Sequence, residues 1–223
     1  MDDDLTPIIR RRHDRIAHVY DWLDTYMEMM GFSQHRVRIM KRVRGKVLEV
    51  GVGTGSNIPY YPDAEEGRID EIVAIDFSRR MLERAEEKKR KFDRPVTLRE
   101  MDIQEMEFAD DQFDTVLSTC VFCSVPDPIQ GLLEIKRVLK PGGQLIMLEH
   151  VRSSISCLGS LMDILNFLSV KIWGGNINRD TLSNLREAGF EIELEDALFL
   201  DVLKFIEARK PPEKCAVRPE VGV

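Results

Sequence analysis

Several things are scarce in these 223 residues, and each scarcity closes off a class of protein. Basic charge is in the minority: 32 Lys and Arg against 39 Asp and Glu leave a net charge of −7, without the basic footprint of a general nucleic-acid binder. Cysteine is sparse, four in all, and the N-terminal "MDDDLTP" is acidic and polar, unlike a secretory leader. Together these predict reduced thiols in a cytoplasmic protein. Histidine is sparse too: His13, His18, His35 and His150 show no ligand-spaced pairing, so no metal is expected. A long charge-free apolar run is also missing. The nearest, "ISCLGSLMDILNFLSVKIW" (155–173), carries Asp163, Asn166 and Ser169 three apart, and an Asp inside an isolated span would be costly. It reads as an amphipathic helix with a broad apolar face, packed on a sheet, covering a pocket or resting on a membrane.

What is present begins with enough apolar residues, 43%, for a sizeable core in one α/β domain. Residues 8–44 read as helical, with Tyr20, Leu23, Met27 and Met30 at helical spacing and Gly31 as a stop. This stretch is locally basic, from Arg10, Arg11, Arg12 and Arg15 to Arg36, Arg38 and Arg42, which suits a solvated face or contact with an anionic surface such as phospholipid. We therefore expect a helical cap over 1–44, a main domain over 45–210 and a frayed tail over 211–223. Within the domain, strands alternate with helices. "KVLEV", "EIVAIDF", "VTLREMD", "FDTVLSTCVFCSV" and "QLIMLEHV" are the strands, and "SRRMLERAEEKKRKF", with Ser78 as N-cap, and "DPIQGLLEIKRVLKPGG", stopped by Pro141-Gly142-Gly143, are helices between them. That alternation implies a doubly wound, mostly parallel sheet with right-handed crossovers. "RDTLSNLREAGF" adds a helix ending at Gly189. "EIELEDALFL" and "DVLKFIEARK" then form an antiparallel pair closing one edge.

"VLEVGVGTGSN" (47–57) poses the functional question, because bare backbone follows a strand directly beside a carboxylate. A nicotinamide fold wants a third glycine where Ser56 stands, and a long helix after it; Pro59 and Pro62 leave that helix little room. S-adenosyl-L-methionine, which carries no phosphate, fits better. Gly51, Gly53 and Gly55 would let the ligand lie on the main chain, and Glu49 would meet its ammonium group. Asp76 ends the second strand, where a carboxylate can accept ribose hydroxyls. Asp102 ends the third, where an acid can meet the adenine amine beside the Ile103 backbone. Phe77 and Met81 offer apolar contacts, and Thr119 joins the candidate cofactor set. Acids at three successive strand ends, on the carboxyl edge where open α/β sheets bind ligands, are the strongest signal in the chain.

The motifs "LEVGVGTG", "AIDFS", "EMDIQEMEF", "FDTVLSTCVFCSV" and "EIKRVLKPGGQLIMLEH", in that order over about residues 45–210, resemble the class I S-adenosylmethionine-dependent methyltransferases. The resemblance implies a Rossmann-like seven-stranded sheet whose last strand is antiparallel. On the acceptor side, "STCVFCSVPDP" lacks the Asn/Asp-Pro-Pro-aromatic clamp of base-amino methyltransferases and the Pro-Cys of cytosine-C5 enzymes. Cys120 and Cys123 form a lone C-x-x-C after a strand, which suits pocket-lining or core thiols better than zinc. His150, ending the fifth strand, and Tyr20, in the N-terminal helix, are the candidate catalytic residues; Arg152, Lys171 and Arg179 could receive a headgroup phosphate. "HVYDWLDTYMEMMGF", "CVFCSVPDP…LEHVRS" and "NINRDTLSNLREAGF" resemble bacterial phosphatidylethanolamine N-methyltransferases of the peripherally bound type. They are also similar to membrane-associated thiol methyltransferases and, less closely, to quinone-ring C-methyltransferases. The resemblance implies a small or lipid-borne acceptor and peripheral contact with an anionic membrane.

Overall fold

The computed structural model describes residues 6–12, 14–15, 32–61, 68–172, 175–199 and 201–212. Seven strands form one sheet in the order β3-β2-β1-β4-β5-β7-β6: β1 Gly45–Val50, β2 Ile69–Asp76, β3 Val96–Glu100, β4 Phe113–Thr119, β5 Leu139–His150, β6 Glu191–Leu198 and β7 Leu203–Arg209. The five strands from β3 to β5 are parallel, and β7 enters antiparallel to both β5 and β6. The expected sheet and its antiparallel last strand are both present. The inner strands β1 and β4 are buried in near-continuous runs, as befits strands covered on both faces. Two apolar clusters, one on each face, hold the layers together. One centres on Phe113, Phe122 and Leu132, the other on Ile39, Ile58 and Phe205.

Helices cover both faces. We label them α1 Ser33–Met40, α2 Arg79–Phe92, α3 Pro128–Val138, α4 Ser156–Ile172 and α5 Thr181–Glu187, with a short 3₁₀ turn at Ile58–Tyr60. Ser78 caps α2, its hydroxyl accepting from the Met81 N–H, as its position before the apolar-periodic run suggested. Asp127 and Asp180 cap α3 and α5 in the same way, accepting from Gln130 and Ser183. Two boundaries differ from the sequence reading. Helix α3 stops at Val138, and Pro141-Gly142-Gly143 lies inside β5, whose register against β4 is irregular there. The fourth strand ends at Thr119 rather than running on to Val125, because Cys120 turns the chain with φ +55°.

The basic stretch also finds partners. Arg38 pairs with Asp196 and Arg42 with Glu207, and both guanidinium groups lie over the Phe205 ring, at 4.2 and 5.2 Å. These two cations therefore dock α1 against β6 and β7 and do not form an open anion-facing stripe. Residues 6–12, 14 and 15 are helical, and Asp14 accepts the Ser78 hydroxyl at 2.6 Å, so this helix lies over the start of α2.

Candidate active site

The carboxyl ends of β1, β2 and β4 and the turn after β3 surround a single cavity. Parallel strands all point their C-terminal ends to one edge, so side chains from successive strands meet there. Glu49, Gly51, Gly53 and Asp76 line it, as do Phe77, Met81, Asp102, Ile103 and Thr119. Gly55 does not. At φ +82°, a Cβ there would come within 2.6 Å of Ile58 Cδ1 and 3.0 Å of the Ala85 backbone, so the third glycine is required for packing. Gly53 is the converse case: φ is +56° and nothing lies within 4 Å of the space its Cβ would fill, which leaves bare main chain facing the cavity. Asp102 stands two residues beyond the end of β3, where the Gln104 N–H bonds its Oδ1 at 2.8 Å.

Glu49 is 2% exposed and anchors a buried network. Asn57 donates to its Oε1 at 2.8 Å and to Thr119 Oγ1 at 3.0 Å, and the Tyr61 hydroxyl donates to Oε2. Arg36, 4% exposed and itself lining the cavity, donates to Asn57 Oδ1 at 2.6 Å. Burial pushes the Glu49 carboxyl up to about 8, against the pull of the Asn57 hydrogen bond and the Arg36 charge. Asp76 rises less, to about 6, because the Ser78 and Gly53 N–H groups, at 2.8 and 2.9 Å, stabilise its ionised form against burial. The sequence reading passed over Arg36, Asn57 and Tyr61. Asn57 and Tyr61 sit in the turn after the glycines, and Arg36 was one cation in a run of cations.

A second buried acid was also missed. Glu149 of β5 is 0% exposed and accepts from Ser118 Oγ at 2.6 Å and from the N–H groups of Val121 and Phe122 at 3.1 and 3.2 Å. Burial raises it to about 7. It holds in place the loop after β4, whose Cys120, Val121, Ser124, Val125 and Pro126 form the other wall of the cavity. The only sequence signal was an acid inside an apolar strand. Cys123, in that loop, has its thiol pushed up to about 11 by burial and by the Glu149 charge, so it is a protonated thiol at neutral pH.

His150 is not among the residues lining the cavity. Burial lowers its pKa against a hydrogen bond to the Ile177 backbone, and its Nδ1 is buried with no partner among the described residues. Tyr20 lies outside the described residues. Arg152 is committed to Asp163 in a two-pronged pair at 2.9 to 3.2 Å, and Arg179 donates to the Val125 carbonyl at 2.6 Å; the Lys171 side chain lies outside the described set. The headgroup-binding expectation for Arg152 therefore meets a guanidinium already paired.

Residues 48–147 match the family model described as "Methyltransferase domain". A phosphatidylethanolamine N-methyltransferase from Cereibacter sphaeroides is 41% identical over 108 residues, 48% of this chain and 51% of that protein. A demethylmenaquinone methyltransferase from Staphylococcus aureus is 36% identical over 148 residues, 63% of this chain and 59% of its own. Among solved structures, a SAM-dependent methyltransferase from Thermotoga maritima superposes with a TM-score of 0.65 at 21% identity, covering 91% of this chain and 99% of that one; at that identity the likeness is one of fold. The chain spans only about half the length of the curated relatives it matches, 51% and 59% in the two cases above. Residues 48–147 are thus similar to a methyltransferase domain, and the seven-stranded sheet has the fold of the Thermotoga maritima structure.

Proposed function

We propose that this chain binds S-adenosyl-L-methionine in the cavity and transfers its methyl group to a small or lipid-borne acceptor, with a phospholipid amine first among the candidates. The observation that carries the reading is the convergence of Glu49, Asp76 and Asp102 with Arg36 around the open backbone at Gly53. The four charged groups are complementary to one ligand with both a zwitterionic and a nucleoside end. Glu49, oriented by Asn57 and Tyr61, takes the ammonium group, and Arg36 the adjacent carboxylate. Asp76 accepts the ribose hydroxyls, and Asp102 the exocyclic amine of adenine beside the Ile103 backbone. Phe77 and Met81 cover its apolar faces.

When bound, the cofactor supplies a methyl group already activated on a sulfonium. The protein's task is then alignment and exclusion of water, with the acceptor lone pair held about 3 to 3.5 Å from the methyl carbon. The loop from Cys120 to Pro126, fixed from below by Glu149, forms the wall against which an acceptor would be positioned. Tyr20 and the cap over 1–44 would cover the methionine end. Thr6 and Arg36, both in that N-terminal region, already line the cavity, which supports the cap.

The test is a labelled-methyl screen with the full chain. Phosphatidylethanolamine in mixed micelles should become labelled, with S-adenosylhomocysteine formed in equal amount. Labelling of a soluble thiol without lipid would move the acceptor to sulfur. Labelling of a quinol ring would favour the second reading, which the Staphylococcus aureus relative supports. Failure to bind S-adenosylhomocysteine at all would reject the class of reaction.

A further inference from the structure

The loop from Cys120 to Pro126 is pinned at both ends by side chains of other elements. At its start the Val121 and Phe122 N–H groups donate to the Glu149 carboxylate. At its far end, where the loop passes into α3, the Asp127 N–H donates to Oε1 of Gln104 at 2.9 Å. The Gln130 side chain donates to the Gln104 carbonyl at 3.1 Å, which hooks the first turn of α3 to the same residue. Gln104 stands in the turn after β3, and its own N–H donates to Asp102 Oδ1 at 2.8 Å. Its side-chain Nε2 lies 3.3 Å from both Asp102 oxygens and 3.2 Å from Thr6 Oγ1. One side chain therefore joins three walls of the cavity: the turn carrying Asp102, the N-terminal helix through Thr6, and the loop whose Val125 and Pro126 line it.

The amide of Gln104 is held in one orientation. Its NH2 group faces a carboxylate and a hydroxyl, and its oxygen faces a backbone N–H. Turned over, it would set oxygen against carboxylate and donor against donor. A carboxylate offers about four acceptor sites, so the Gln104 donors leave room on Asp102 for one more. An amine at the adenine position would take that place and fix the carboxylate. The amide that holds Asp127 is then fixed with it, because linked hydrogen bonds polarise and strengthen one another. Packing runs along the same line: Ile103 and Val125 both stand over Gly131 of α3, 3.7 and 3.5 Å from the position its Cβ would take. Building on the S-adenosyl-L-methionine reading above, we propose that Gln104 is a positioning residue that transmits occupancy of the nucleoside end to the loop at 120–126 and to the first turn of α3. The wall facing the acceptor sets once the cofactor is bound, and an acceptor binds the loaded chain in preference to the empty one.

Amide hydrogen exchange on the full chain, with and without S-adenosylhomocysteine at a saturating concentration set by calorimetry, tests this without an acceptor. The Asp127 amide is the reporter, since it bonds Gln104 and Asp127 is not among the residues lining the cavity. In the wild type the ligand should slow its exchange roughly fivefold or more. Gln104→Met keeps the reach of the side chain and removes both its acceptor and its donor. Exchange should then be fast in either state, with less than about a twofold effect of ligand. Gln104→Glu keeps an acceptor for Asp127 and loses the donor to Asp102 and Thr6. Its ligand-free exchange should match the wild type, and the effect of ligand should again disappear. A side chain that merely pinned the loop would leave that effect intact in the Glu variant, which overturns the proposal even if the Met variant does not fold. So would a wild type that binds S-adenosylhomocysteine without slowing Asp127, and in both cases the proposed function stands. A wild type that binds no S-adenosylhomocysteine overturns the cofactor reading itself.

Discussion

The Arg36–Asn57–Glu49–Tyr61 network is where single residues decide most. A buried guanidinium hydrogen-bonded to the amide that holds a buried carboxylate is a site for paired opposite charges, and a free amino acid end is such a pair. Arg36→Gln should weaken S-adenosylhomocysteine binding by roughly 1.5 to 3 kcal/mol, the worth of a hydrogen bond to a charged group. The same change should leave 5′-methylthioadenosine, which has no amino acid end, bound nearly as before. Parallel calorimetric titrations check this, and equal losses for both ligands would place Arg36 away from the methionine end. The pH dependence follows from the same residues. With Glu49 at about 8 and Asp76 at about 6 in the ligand-free cavity, an ammonium group and ribose hydroxyls both favour the ionised carboxylates. Binding should therefore release protons, and affinity should climb from pH 6 to 8 and level off above. Titration in buffers of different ionisation enthalpy reads the proton count directly. Of this site, Glu49, Asp76 and Asp102 were legible in the sequence because each falls near or just past the carboxyl end of a strand. Arg36 was not, since burial depends on how α1 packs and nothing local distinguishes it from Arg38 or Arg42.

At the scale of elements, the period of the apolar pattern was readable and its orientation was not. Periodicity places α4 within a residue of its observed start, and even gives the polar stripe. Which side of a helix faces the protein depends on partners distant in sequence. Here Asn166 and Ser169 bond the chain at 175–177, so the stripe turns inward. The same limit explains Pro141-Gly142-Gly143. Turn formers stop a helix when nothing else has, but α3 had already ended at Val138, and the residues were absorbed into the irregular start of β5. Gly55 illustrates the difference between a motif and its reasons. The G-x-G-x-G spacing suggests three equivalent glycines, whereas only the first two line the cavity. Gly55→Ala should accordingly cost about 1 to 3 kcal/mol of stability, from left-handed strain and from overpacking against Ile58 and Ala85. Affinity of the folded fraction for S-adenosylhomocysteine should change little. Chemical denaturation and calorimetry on the same preparation separate the two; a normal denaturation midpoint with lost affinity would return Gly55 to the site.

For the molecule as a whole, the ligand cavity and the stability of the fold are linked through protons. Glu49 and Glu149 are buried with their pKa values raised, to about 8 and about 7, above the usual 4.5. A group whose folded value is raised contributes stability that is complete below its unfolded value and is lost as pH climbs through the folded one. Asp76, raised to about 6, acts with the same sign lower down. His35 and His150 oppose it there: burial lowers both below 6.5, so their contribution grows as pH rises toward that value. Above pH 6.5 the histidines' opposing contribution dies away as the unfolded imidazoles also become neutral, and Cys123, raised from 9.0, adds its loss only at higher pH. Between pH 6.5 and 8.5 the two glutamates therefore set the trend, and the ligand-free protein should melt at progressively lower temperature. Glu149→Gln should remove the part of that slope that ends near pH 7. Saturating S-adenosylhomocysteine should remove the part near 8, by giving the ionised Glu49 a cationic partner in the folded state. Thermal unfolding across that window, with and without ligand, measures both contributions. A flat ligand-free profile would mean that the two carboxylates are hydrated and already ionised in the folded protein. The cavity floor would then be too wet for the charge pairing assigned to it.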